Sequence, residues 1–229
     1  MTFNPKDKSV WYAVPDTPGK LVRVDIGSNP PQSCRAEAYE PPFNNPKAPG
    51  KLGYYPRGID ADRNGLIWTG LAGSGQLASF DRSKCTIKTA PAIFDPQHCP
   101  EGWTLYDVPG PQIKNVADGG SADFLYGNWV DQFDTSGLGK DVPLATGTGS
   151  DSLLALMPDT KKWVVLRVPY PLGFFTRNLA GRIDDPNAGW KGRGLWAANE
   201  VRNPWHSEGG KGTTPQAAHF QIRPDPLAH

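Results

Sequence analysis

The chain has no long apolar run. None of its 229 residues falls in a window approaching the ~18 consecutive apolar positions that a membrane-crossing helix needs, so no membrane span is expected. It also lacks an excess of charge of one sign. Lys and Arg number 24 against 23 Asp and Glu, the net charge is +1, and no basic run stands out. A cationic face for nucleic acid is therefore not expected. Helical periodicity is nearly absent: only Asp151 to Met157 is briefly helix-like, and the repeat described below assigns it to a strand. Neither a Gly-x-Ser-x-Gly elbow nor an HExxH pair occurs, which removes two common hydrolase signatures.

Cysteine is scarce and odd in number: Cys34, Cys85 and Cys99. No metal-ligand spacing links them. Cys85 and Cys99 flank one loop and could pair in an oxidising compartment; the alternative is three free thiols. Residues Met1 to Pro5 carry neither a basic segment nor an apolar one of the secretory kind. The expectation is a periplasmic or secreted protein if a leader was removed upstream, and a cytoplasmic one otherwise.

What the chain does have is turn residues and aromatics. Gly (26) and Pro (24) are interleaved with eight Trp, nine Phe and seven Tyr, too much apolar mass for a disordered chain. The pattern fits short strands separated by tight turns. Four tryptophans mark similar contexts: SVWYA at Trp11, LIWTG at Trp68, GNWVD at Trp129 and GLWAA at Trp196, at intervals of 57, 61 and 67 residues. A second echo runs from Trp103-Thr104-Leu105-Tyr106-Asp107-Val108-Pro109 to Trp163-Val164-Val165-Leu166-Arg167-Val168-Pro169. Self-similarity near 60 residues predicts an all-β fold, a β-propeller-like array of about four antiparallel blades.

The blades are predicted as one domain over 1–229, divided at about 3–50, 51–112, 113–172 and 173–229. In the second, Tyr55 to Asp60 is the candidate innermost strand and Asn64-Gly65 a two-residue hairpin turn. Ile67 to Thr69, Gln76 to Asp81 and Trp103 to Val108 follow as strands. Four blades are the lower limit for a propeller, so the ring is expected to be incomplete, closed by further blades or by a homo-oligomeric partner. In the fourth, Pro186 to Gly194 and Arg202 to Pro215 read as inserted loops, where function tends to sit.

With the blades laid out, the order Pro56-Arg57-Gly58-Ile59-Asp60, Asn64-Gly65, Leu66-Ile67-Trp68-Thr69 and Leu77 to Asp81 resembles the blade repeat of streptogramin lyase-like (virginiamycin B lyase-like) β-propellers. Trp11-Tyr12-Ala13 through Leu21-Val22-Arg23-Val24-Asp25 follows it too, and Gly194-Leu195-Trp196-Ala197 is a looser copy. The resemblance implies a bacterial propeller. Its characterised members are magnesium-dependent lyases that linearise cyclic depsipeptides with a histidine near the central channel. No segment here matches that histidine segment.

Candidate chemistry is therefore sparse. Asp60-Ala61-Asp62-Arg63-Asn64-Gly65 follows the first half of a calcium loop, making Asp60, Asp62 and Asn64 the candidate ligands for Mg or Ca; the twelfth position holds Leu71 instead of Glu. The competing reading is an Asx-rich hairpin turn. His206, with Glu208 or Glu200, is the candidate acid/base set, set against a solvated loop histidine packed on Trp205. Glu208 to Thr213 fails as a phosphate loop, because Gly212 follows Lys211. Arg57 and Arg177 on inner strands, with Tyr55 and Trp205, are the candidate ligand-binding residues. A buried arginine needs a carboxylate or an anionic ligand, and Asp60 and Asp184 could instead serve it. The first functional reading is a propeller module that binds a small molecule or a protein partner. The alternative is a divalent-cation-dependent lyase or hydrolase acting on a small cyclic or ester-containing substrate.

Overall fold

A computed structural model of the protein describes residues 1–88, 95–110, 123–168, 174, 176–181, 194–199 and 216–220. Its fifteen described strands form four antiparallel sheets, each from strands consecutive in the chain. The first holds β1 (Thr2–Phe3), β2 (Val10–Val14), β3 (Lys20–Asp25) and β4 (Arg35–Tyr39). The second holds β5 (Pro56–Ala61), β6 (Ile67–Leu71), β7 (Gln76–Phe80) and β8 (Trp103–Asp107). β9 (Asn128–Asp131), β10 (Val142–Gly147), β11 (Ser152–Leu156) and β12 (Trp163–Arg167) make the third. β13 (Thr176–Ala180), β14 (Leu195–Asn199) and β15 (Gln216–Phe220) make the fourth. Among the described residues helix is limited to two three-residue 3-10 turns, Arg82–Lys84 and Pro100–Gly102. The fold is an all-β array of propeller blades. The first strands gather at its centre, β1 against β5, β5 against β9 and β9 against β13.

Three apolar layers join successive sheets. Trp11, Leu21 and Tyr39 of the first sheet pack with Ile59, Ile67, Phe80 and Trp103 of the second. Trp68 and Leu77 of the second meet Val130, Ala145 and Leu154 of the third. Trp129, Leu144 and Leu153 of the third meet Leu179, Leu195 and Ala197 of the fourth. Among the described residues no apolar cluster joins the fourth sheet to the first. Burial records this order. β6, β10 and β11 are buried on both faces, whereas β2 and β3 alternate between buried and partly exposed. That is why Asp151 to Met157 looked helical in sequence: a strand covered on both faces has no period-2 signature.

Two details depart from the sequence reading. Trp11, Trp68 and Trp196 lie on the second strand of their sheets, but Trp129 lies on the first, with Leu144 beside it on β10. All four still point toward the side where a following sheet would lie, because a cross-strand neighbour shares the face. Asn64-Gly65 is not a two-residue turn. The connection runs from Asp62 to Leu66, Gly65 N–H donates to the Asp62 carbonyl, and Gly65 alone has positive φ (+85°). Asp62 causes this: its Oδ1 accepts from Asn64 N–H and Leu66 N–H and sets a wider, side-chain-capped turn.

The loop after β7 is fastened to the first junction. Cys85 and Cys99 are disulfide-bonded, with Cα atoms 5.2 Å apart, and Cys34 is free and exposed. Both bonded cysteines lie in the Trp11–Phe80–Trp103 layer. From the same loop Arg82 donates two 2.6 Å hydrogen bonds to Glu37 on β4, and Tyr39 donates a third at 2.7 Å. Arg23 adds a fourth and also pairs with Asp7 and Asp25. Burial alone would raise the Glu37 pKa, but these donors hold it below the ordinary 4.5.

Two outcomes follow for stability. Trp68→Ala removes the largest buried side chain of the second junction and should cost about 3–5 kcal/mol in urea unfolding. Glu37 has a depressed folded pKa, so its contribution is complete above its unfolded value and is lost as pH falls through the folded one, below 4.5. Unfolding midpoints measured from about pH 7 to about pH 3 should fall steeply at the acid end. Glu37→Gln should flatten that fall while costing about 3 kcal/mol near neutrality.

Candidate functional site

The centre of the array is built by backbones that approach too closely for side chains. Gly58 on β5 has φ +73°, and a methyl group placed on it would lie 2.8 Å from Asn128 N. A methyl group on Gly127 would lie 2.6 Å from the Arg177 carbonyl oxygen. Glycine at these two positions draws β5, the approach to β9, and β13 together. Asp60 ties the same region. Its Oδ1 accepts from Thr2 Oγ1 at 2.6 Å and its Oδ2 from Val130 N–H at 2.9 Å, linking the first three sheets at their innermost strands.

Arg57 and Arg177 each occupy the second position of an innermost strand, and each adjoins a register irregularity. In β5 it falls between Arg57 and Asp60; in β13 it falls between Thr176 and Asn178, at Arg177 itself. Bulges of this kind re-aim a side chain out of the ladder. Both guanidinium groups come to rest against one ring: Arg57 Cζ is 4.5 Å from the Tyr126 centroid and Arg177 Cζ 5.2 Å. Phe124 packs on Tyr126 at 4.5 Å and lies 6.0 Å from Arg57 Cζ. Tyr55 closes the group at 6.3 Å from Phe124. All five side chains are half-buried. Tyr55 has φ +62°, a strained setting for a bulky residue, held by its N–H donating to Pro18 and its carbonyl accepting from Ala72.

The sequence reading missed Phe124 and Tyr126. Residues 123–127 form no strand, yet they are fixed by side chains of the third sheet. Thr146 Oγ1 accepts from Tyr126 N–H (3.0 Å) and Gly127 N–H (3.3 Å). Thr148 Oγ1 accepts from Phe124 N–H and donates to the Phe124 carbonyl, both at 2.9 Å. The Asp123 carboxylate accepts from Gly149 N–H, Ser150 N–H and Ser150 Oγ. Alternation was the available signal: Phe124-x-Tyr126 opposes Thr146-x-Thr148, and only the hydroxyls show the two to be partners.

The other sequence candidates are placed as follows. The two Asp60 oxygens accept from Thr2 Oγ1 and Val130 N–H, which gives Asp60 a structural role between sheets. Asp62 caps its turn, and its pKa is raised, chiefly by burial, which disfavours the charged form a hard cation would need. Asn64 is exposed at the turn, next to Arg63, which pairs at 2.7 Å with Asp141 in the turn just before β10. Among the described residues no group of three or more His, Cys, Asp or Glu could hold a metal ion. His206, Glu208, Glu200, Trp205 and Asp184 lie outside the described residues. His98 is buried against Tyr39, and His219 stacks on Trp196. No described helix is long and apolar enough to cross a membrane.

No family model matches the chain, and no curated protein matches it. Solved structures do. A catalytically inactive variant of virginiamycin B lyase from Staphylococcus aureus, with quinupristin, matches at 14% identity and TM-score 0.50, over 96% of this chain and 54% of that one. A protein provisionally assigned as a 6-phosphogluconolactonase, from Bacteroides uniformis, matches at 12% identity and TM-score 0.52, over 96% and 55%. A streptogramin B lyase structure matches at 13% and 0.44, over 97% and 57%. The likeness is one of fold: the chain is similar to propeller-like proteins and spans about half the length of those chains.

The threonine clasp is open to a direct check. Thr146→Val keeps the shape of the side chain but leaves two backbone donors without their acceptor. It should cost about 1–3 kcal/mol in chemical denaturation.

Proposed function

We propose that the protein is a β-propeller ligand-binding module that holds a small anionic molecule at the mouth formed by Arg57, Arg177, Tyr126, Phe124 and Tyr55. The observation that carries this reading is the convergence of two bulge-borne arginines on a single tyrosine ring. Collecting two cations at one point raises the local positive potential, and a half-buried setting screens it less than open water does. A guanidinium held against an aromatic ring is a planar donor of the kind that grips a carboxylate or phosphate with two parallel hydrogen bonds. Arg57 is in no ion pair among the described residues, whereas Arg23, Arg63 and Arg82 each meet a carboxylate. Phe124 and Tyr55 supply an aromatic wall, so the ligand would combine an anionic group with a flat or apolar body.

The alternative, a divalent-cation-dependent lyase or hydrolase of the streptogramin lyase-like type, draws on the likeness to virginiamycin B lyase. It would take its acid/base set from His206 with Glu208 or Glu200 and its cation from Asp60, Asp62 and Asn64. Turnover of a cyclic depsipeptide that stops on adding a chelator would support it over simple binding.

Titration calorimetry at low salt with inorganic phosphate, citrate and benzoate tests the binding reading. At least one should bind, added salt should weaken it, and Arg57→Gln should weaken it about tenfold or more. Absence of binding for all three, or equal binding by Arg57→Gln, would overturn the assignment of the site.

A further inference from the structure

The turn between β5 and β6 carries a pair of residues whose chemistry neither the fold nor the mouth uses. Asn64 precedes Gly65, and of the eleven asparagines in the chain it alone precedes glycine. Asn4, Asn29, Asn45 and Asn203 precede proline, whose nitrogen carries no proton. Asn64 is exposed. Its backbone N–H donates to Asp62 Oδ1 at 2.9 Å, but among the described residues no hydrogen bond holds its carboxamide. The next nitrogen along the chain, that of Gly65, donates to the Asp62 carbonyl at 3.1 Å, toward the long end of the ordinary range. With no Cβ, Gly65 neither hinders an approach to that nitrogen nor confines the chain to the conformations open to other residues.

We infer that Asn64 is a site of spontaneous covalent modification, which turns its carboxamide into a carboxylate and loosens the junction that the turn helps to hold. The Gly65 nitrogen attacks Asn64 Cγ. The carboxamide nitrogen leaves as ammonia, taking the proton that Gly65 gives up, and the new bond from Cγ to Gly65 N closes a cyclic imide. Water then opens the imide at either carbonyl. Opening at Cγ leaves aspartate; opening at the main-chain carbonyl leaves isoaspartate, with an extra carbon in the backbone. Water is consumed, ammonia is released, and nothing is oxidised or reduced. The turn has little room for that carbon. A methyl group on Gly65 would already lie 3.0 Å from Lys6 Cβ. The Gly65 carbonyl accepts from Asn4 Nδ2 of the first sheet's opening turn at 3.2 Å, while Arg63 reaches Asp141 before β10 at 2.7 Å. Isoaspartate lengthens the chain between these two contacts, which tie the turn to its neighbours on either side. A carboxylate at position 64 also joins Asp62 and Asp141, whose charges already oppose each other.

The folded chain, held in mildly acidic and in mildly alkaline buffer, can be digested and mapped by mass spectrometry. Isoaspartate is counted with a protein-isoaspartate methyltransferase and a labelled methyl donor. Asn64 should lose its amide faster than any other asparagine, and faster in alkali, because the attacking nitrogen must give up its proton. The label should appear on the peptide that carries residue 64. Asn64→Gln should remove most of it, and Asn64→Ser, which has no carboxamide, should do the same. In urea unfolding the fraction that carries isoaspartate should have a lower midpoint than fresh protein, and a lower one than Asn64→Asp, which adds the charge without the extra carbon. Retention of the Asn64 amide while another asparagine converts, a rate no higher in alkali, or a label unchanged in both variants would overturn the site. Equal midpoints for modified and fresh protein would overturn its effect on the junction. None of these measurements involves a ligand at the mouth.

Discussion

The structure rests on one constraint: a small sheet that is apolar on both faces must be covered on both faces. β6, β10 and β11 have no solvated side, and each is stable only because another sheet lies above and another below. Tryptophan meets this need with one residue per junction. Trp11, Trp68 and Trp129 each project from one sheet into the next and bury nearly their whole surface there. The polar ties follow the same junctions. The Glu37–Arg82 pair fastens the first to the second, and Asp60 reaches from the second to both neighbours.

The candidate site is a by-product of that stacking. Successive sheets converge at their first strands, and convergence demands glycine where backbones meet, at Gly58 and Gly127. Register breaks beside Arg57 and at Arg177, and both side chains come against the Tyr126 ring. The third sheet adds its aromatics from a segment that belongs to no strand and is fixed by Thr146, Thr148 and Asp123. Cations and rings are thus brought together by the geometry of the centre, on a scaffold whose outer strands take no part.

Much of the fold was legible because it is written locally. β5 to β8 fall within a residue or two of the runs predicted for them, since turn residues and apolar alternation act over a few positions. The echo between Trp103 and Trp163 is also real: these residues open β8 and β12, the last strands of the second and third sheets. The register of Trp129 was not legible. Its context resembles that of Trp68, but strand order within a sheet depends on which segments pair, and that is a long-range choice.

The sequence by itself determined that the chain is all-β, that it repeats, and that Arg57 and Arg177 lie on innermost strands, because these follow from periodicity and local turn chemistry. It also placed Cys85 and Cys99 at the two ends of one loop, and the bond between them closes it. Only the tertiary structure decided that the two arginines share Tyr126, that Asp60 ties the first three sheets together, and that Trp196 is 38% exposed while Trp68 is buried. Each of these depends on which sheet lies next to which, and no window of neighbouring residues encodes that adjacency. It is set by the packing of whole faces, and it ends where the stack of sheets ends.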